Sequence, residues 1–504
     1  MIFLIIQALV ISFVLYLVGK FIVLPKLRMQ FYRNQNIKEY NFFPFYGWFW
    51  DSILQKTNKH KDCIHQIKHI SESADFKDQD IILSNLNSKA SLLIVNPDLI
   101  SEFLQCQQHY IKYELPFHSL NKLIGTGLAK HYGDGWKKSR KILSNMFTFE
   151  QIALQLGSIR ELSKRYISQQ NEKSFNIQKV FEMTAGASDL SIFLGFDMDE
   201  YKNKDGKTLG ELIGSFANDV YLRDVGMFSM IFGTKATELG LRKSDKDLNE
   251  RGKNLRKFMY EIILECKKRE QQPGYQPKYP SFIHHLVQEN LLNTEEELED
   301  LLAISFNLFL AAKETTSKIA ANVVYYAIKY PEQYKKIQEE IKTYVPNDDY
   351  TFADLQKMNI LQANVKECLR YDTSGPFLFQ REVVQDHTLG KYNIKKGTLV
   401  NCGYVVNFFN EKYFENPFSY QPERWLDSNN DSKMKNSHLV YIPFSGGARN
   451  CIGQHLAVMQ IKAMAIEFFK QFKLPEIPKD FDTEKIMTLS YGFKNDLLLN
   501  LERI

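Results

Sequence analysis

The chain opens on a run without charge. Residues 1–19 read MIFLIIQALVISFVLYLVG, with Gln7 and Ser12 as the only clear polar interruptions. As a helix this run spans roughly 28 Å, close to the thickness of a bilayer core. The basic start and small-residue cleavage site of a secretory signal are missing. Lys20, Lys26, Arg28, Arg33 and Lys38 follow instead. The pattern predicts a single-pass anchor over residues 1–24, with the body, residues 25–504, on the cytoplasmic side.

Aromatic residues crowd positions 38–50, as at a hinge or membrane surface. Residues 51–72 have helical spacing. His65 and His69 fall there at i and i+4, but no carboxylate or cysteine nearby completes a metal site, so a surface helix is expected. Ile81–Leu86 and Ser91–Val95 alternate as a hairpin, and Asn96-Pro97-Asp98 starts a helix. Residues 200–280 give only helical patches, ending in a loop with Pro273, Pro277 and Pro280. Thr294-Glu-Glu-Glu297 is a capping box that opens a helical pattern running to Tyr330, where Pro331 stops it. That helix is long and apolar enough to cross a core.

Composition narrows the field. With 44% apolar and 13% aromatic residues the chain can bury a large core lined with rings. A net charge of +5 is too small on this length to imply nucleic acid. The six cysteines are scattered, without the spacing of zinc, thioredoxin or covalent haem motifs. Scattered thiols in a large chain suit a reducing compartment.

The sharpest chemical signal is Phe444-Ser-Gly-Gly447-Ala-Arg449-Asn-Cys451-Ile-Gly453. Its glycines permit tight backbone turns and close approach to a flat ligand. Arg449 sets a positive charge two residues from the sulfur, and an apolar helix follows, its first N–H groups near the sulfur. A thiolate held there is a soft, electron-rich metal ligand.

This stretch resembles the haem-binding loop of the cytochromes P-450, in which the loop cysteine ligates haem iron. The resemblance implies a mainly α fold with a smaller β region, the cytochrome P-450 fold. It implies haem b with Cys451 as axial thiolate and with Arg449, Phe444, Gly447 and Gly453 around it. Other motifs follow in the family's order. Trp136 and Arg140, at i and i+4, match the residues that contact a haem propionate, and Arg381 matches a second propionate-binding arginine. Ala311-Ala312-Lys-Glu314-Thr315-Thr316 matches the oxygen-binding motif, with Ala312 where the family commonly has Gly. By that likeness Glu314 and Thr315 organise proton delivery. Glu367-x-x-Arg370 with Arg424 resembles the structural triad that holds the cysteine loop. Lys137, Lys138 and Lys141 form either a solvated face or a dock for an acidic electron donor.

The activity implied is insertion of one atom of dioxygen into a lipophilic substrate. The electrons would come from a separate NADPH-cytochrome P-450 reductase, with cytochrome b5 as a second candidate donor, at the endoplasmic reticulum membrane. A haem-thiolate isomerase or lyase acting on peroxides, and a non-catalytic haem protein, are the alternatives. By family analogy the pocket draws on 110–118, on Phe306, Phe309 and Leu310, on 374–379 and on 490–493.

Overall fold

The structure is a computed structural model describing residues 1–47, 65–113, 118–128, 133–376, 380–426 and 437–504. The helical spacing expected over 51–72 falls largely outside these residues. Its last part is the helix His65–Glu72.

Everything is arranged about one long helix, Glu295–Lys329. Thr294 Oγ1 accepts the Glu297 N–H while the Glu297 carboxylate accepts the Thr294 N–H, so the capping box forms. The helix ends at Tyr330, and Pro331 opens the next helix, Pro331–Tyr344, where its missing N–H costs nothing. From Leu298 to Ile328 most of its side chains are buried. Its main neighbours are the helices Ile177–Leu194 and Gln454–Gln471. Phe309 lies against Gly186 and Gly210, whose bare backbone lets its ring approach closely. The 28-residue helix Lys243–Glu270 was not legible as one element, because charged residues interrupt its apolar face.

A second hydrophobic core belongs to a six-stranded sheet. Its order is Lys38–Glu39, Ile81–Leu86, Lys89–Ile94, Leu399–Cys402, Arg381–Val383 and Tyr110–Lys112. The expected hairpin is present, with Ile81 opposite Ile94 and Leu86 opposite Lys89. Its second strand starts at Lys89 because the turn is only Asn87 and Ser88, and Asn87 takes the positive φ such a turn needs.

The N-terminal helix Ile2–Val18 is exposed along its length. It continues through a π segment, Gly19–Val23, into Leu24–Arg33, so Pro25 does not break it. Burial begins at Phe21, which is fully buried and packs 4.2 Å from the Phe45 ring. Tyr32 is 2.6 Å from the Thr398 hydroxyl and accepts the Lys395 N–H. The boundary expected after residue 24 therefore falls within a helix already seated on the body by Phe21.

Candidate functional site

The cysteine loop is shaped by backbone. The Cys451 N–H donates to the Phe444 carbonyl at 2.9 Å, closing the loop on itself. Gly447 has φ +67°, and a Cβ there would meet the Leu104 carbonyl oxygen at 2.5 Å, so only glycine fits. Gly453 caps the helix Gln454–Gln471, and the Ala457 N–H returns to its carbonyl.

Arg140, from the helix Gly133–Ser144, donates to the Asn450 carbonyl at 2.9 Å and to Asn450 Oδ1 at 2.8 Å. Arg449 lies over the Trp136 ring at 4.1 Å. Trp136 and Arg140 thus meet the Arg449–Cys451 segment at one place. Asn450, unremarked in the sequence, clips the two segments together. Arg381 is buried and lies over Phe103, next to the Leu104 that contacts Gly447. Lys137, Lys138 and Lys141 are exposed on the same helix as Arg140.

The triad residues converge. Glu367 and Arg370 are fully buried and paired through both carboxylate oxygens, at 3.0 and 2.7 Å. Arg370 also donates to the carbonyls of Phe408, Pro417 and Ser419. Arg424 reaches Glu367 at 3.2 Å. Two partners were missed from sequence: the Gln421 N–H and the Trp425 indole N–H, each 2.9 Å from Glu367. Trp425 packs 4.5 Å from the Tyr441 ring, three residues before Phe444, which carries the network to the cysteine loop.

On the long helix, Thr315 Oγ1 donates to the Ala311 carbonyl at 2.8 Å. The Glu314 carbonyl accepts from the Ser490 hydroxyl, and its carboxylate lies 3.4 Å from Lys313 Nζ. Phe306 and Phe309 are fully buried, and Phe309 faces Gly186 of the helix Ile177–Leu194 and Gly210 of the helix Leu209–Asp224. They form core rather than the pocket wall expected of them, because Phe309, two positions before Ala311, and Phe306, five before it, point to other faces of the helix. Tyr110 is likewise a sheet residue, its hydroxyl 2.7 Å from His387. Residues 114–117 and 377–379 of the expected lining lie outside the described residues. The residue one turn before Ala311 is Asn307, which is half-buried, donates to the Ala303 carbonyl and packs on Gly127. Its signal was a single amide in an apolar helical run.

Does this site fit a flat anionic cofactor? Cys451 sits deep enough that burial pushes its thiol pKa up, countered by the Gly453 N–H and the Arg140 charge. Yet its surface is exposed. Ala311, amid the buried helix, is exposed too. Depth with exposure means that both line an interior space. The Arg140 charge acts on the sulfur, and the Arg449 guanidinium and Trp136 indole pack together on the same two segments, a donor set suited to carboxylates on that cofactor.

The comparisons with known proteins agree. The family profile described as Cytochrome P450 matches residues 48–496. Cytochrome P450 52-N1 of Starmerella bombicola is 28% identical over 397 residues, which is 72% of this chain and 73% of the relative. The steroid 17-alpha-hydroxylase/17,20 lyase of Ovis aries is 26% identical over 378 residues, 71% of each chain. The solved structure of the cytochrome P450DA heme domain superposes with a TM-score of 0.68 at 17% identity, covering 88% of this chain and 92% of that one. Its likeness shows the fold. The chain belongs to the cytochrome P-450 family, whose members are oxidoreductases of the haem-thiolate monooxygenase type that bind haem b through a cysteine thiolate.

Proposed function

We propose that Cys451 is the thiolate ligand and that the chain oxygenates a lipophilic substrate at a membrane, with electrons from an NADPH-dependent cytochrome P-450 reductase. The observation that carries this is a cysteine at once deep and exposed, flanked by Arg140, Arg449 and Trp136. When bound, haem supplies the activation of dioxygen. The protein supplies the rest. Arg140, Arg449, Trp136 and Arg381 orient the haem carboxylates. Glu367, Arg370 and Arg424 hold the cysteine loop. Glu314 supplies protons to the interior space, and Thr315 Oγ1, released from the Ala311 carbonyl, passes them on. The half-apolar wall around Ala311 and Leu310 favours a lipophilic substrate, with Asn307 as its polar exception.

Membrane attachment is supported by the exposed apolar helix Ile2–Val18 and by the basic residues after it. Phe13 stacks on Phe232 of the short helix Met227–Phe232, and Phe232, Leu239 and Leu241 are themselves exposed, which extends the apolar surface beside the anchor. The reading puts the anchor over residues 1–24 in the endoplasmic reticulum membrane, with 25–504 as the catalytic domain on the cytoplasmic face. Exposed Lys137, Lys138 and Lys141 offer an acidic donor, reductase or cytochrome b5, a dock on the cysteine-loop side.

The test is spectroscopic. The reduced, CO-bound protein should show the strongly red-shifted Soret band of a thiolate ligand, and Cys451→Ala should abolish it. A C451A protein that keeps the band refutes the assignment. Thr315→Ala should leave haem uptake and folding unchanged while more NADPH is lost to hydrogen peroxide. A wild-type yield of product per NADPH in T315A would remove Thr315 from the proton path.

A further inference from the structure

The long helix carries a lysine that the reaction above does not use. Lys313 precedes Glu314, and its side chain is only 12% exposed. Its Nζ lies 3.4 Å from Glu314 and 3.5 Å from Glu182. Glu182, on the helix Ile177–Leu194, is 36% exposed and reaches solvent, whereas Glu314 is 14% exposed. A buried ammonium so placed joins an inner carboxylate to an outer one.

The surroundings are polar and incompletely satisfied. Asp189, two helical turns beyond Glu182, is fully buried and feels the Lys313 charge. Its Oδ1 accepts from Gln460 of the cysteine-loop helix at 2.9 Å, while Asp189 Oδ2 and Gln460 Oε1 have no partner among the described residues. Thr316, one turn after Lys313, is 2% exposed and its Oγ1 is also unpartnered. The backbone of Gly214 approaches so closely that a Cβ there would stand 3.3 Å from Lys313 Nζ. Unpartnered buried oxygens, one of them on a carboxylate that feels a buried cation, are the setting in which ordered water is found. Burial pulls the Lys313 pKa down, and the two glutamates outweigh it, so the group remains an ammonium.

We infer that Lys313 is a positioning residue for proton supply, holding the Glu314 carboxylate on the outer side of the helix and linking it to a solvent entry at Glu182. This rests on the role given to Glu314 above. When Glu314 takes up a proton and turns inward, its charge leaves Lys313. Glu182 then remains as the counter-charge, so no buried ammonium is stranded. The proton comes from solvent at Glu182 by way of water admitted beside Lys313, and Lys313 keeps its own.

The experiment uses full-length holoprotein with an NADPH-dependent reductase and no organic substrate, so that substrate identity does not enter. Water formed relative to hydrogen peroxide is measured, with the solvent deuterium isotope effect on NADPH consumption and thermal melting. Lys313→Met should lower the water-to-peroxide ratio by about twofold or more and enlarge the isotope effect. Lys313→Arg should restore both, and Glu182→Gln should shift both in the same direction by less. In melting, K313M, E314Q and the double variant should be non-additive, the double melting no lower than the worse single. A K313M protein with wild-type ratio and isotope effect, alongside an affected E314Q, overturns the clamp alone. An E314Q protein with the wild-type ratio overturns the acid's role and the clamp with it.

Discussion

The two walls of the interior space are built on opposite principles. Behind the cysteine loop, every polar group of the Glu367 cluster has partners: the carboxylate accepts from Arg370, Arg424, Gln421 and Trp425, and Arg370 spends its remaining donors on three carbonyls. Behind the long helix, Thr316, Asp189 and Gln460 each keep an unpartnered oxygen, and Lys313 makes two long contacts instead of one short one. A fully satisfied network has one low-energy arrangement and holds its loop still. A partly satisfied one has several of similar energy and can admit water or exchange partners. The first wall suits holding a ligand, the second moving a proton.

The largest effect should come from breaking the rigid wall. Arg370→Leu takes the closer of two cations from the Glu367 carboxylate at zero exposure and leaves three carbonyls without their donor, which costs about 3–5 kcal/mol. It should show as a large drop in melting temperature and as loss of haem uptake. An R370L protein that binds haem and melts like the wild type would erase the contrast between the walls.

The next test concerns the far end of the cysteine-loop helix. Glu467 is 2% exposed with Oε1 unpartnered, and burial pushes its pKa from 4.5 up to about 7. The folded state therefore holds a proton that the unfolded chain releases near 4.5. Stability from this group is present below that value and is lost as pH rises through about 7, an effect of about 3 kcal/mol. Glu467→Gln should flatten the fall in melting temperature between those pH values. An unchanged pH profile would mean that Glu467 is ionised and partnered.

The smallest effect sharpens the comparison from the loose side. Thr316→Val removes a buried hydroxyl that has no partner while keeping its shape, so stability should stay level or rise by up to about 1 kcal/mol. A loss of stability in T316V, read by denaturant unfolding, would show that the hydroxyl is well bonded and the second wall as satisfied as the first.

How much of this was legible before the structure follows from how local each signal is. The capping box at Thr294, the stop at Pro331 and the hairpin at Ile81 depend on near neighbours in the chain and appeared where expected. Trp136 and Arg140 meet the cysteine loop from more than 300 residues away, and only the resemblance linked them. Faces of the long helix could not be told apart, because apolar residues surround it on all sides. Phe309 was therefore placed in the pocket when its ring belongs against Gly186 and Gly210. Asn450, Gln421 and Trp425 act through contacts that no spacing rule encodes.

The continuity of the N-terminal helix has a mechanical consequence. The same rod that is bare from Ile2 to Val18 is bolted into the body at Phe21, Met29 and Tyr32, with no swivel between. Whatever grips the bare end therefore sets the tilt and azimuth of the whole molecule, as a handle sets the attitude of a blade. A cut before Lys20 removes the handle, while a cut after Leu24 also draws the first bolt.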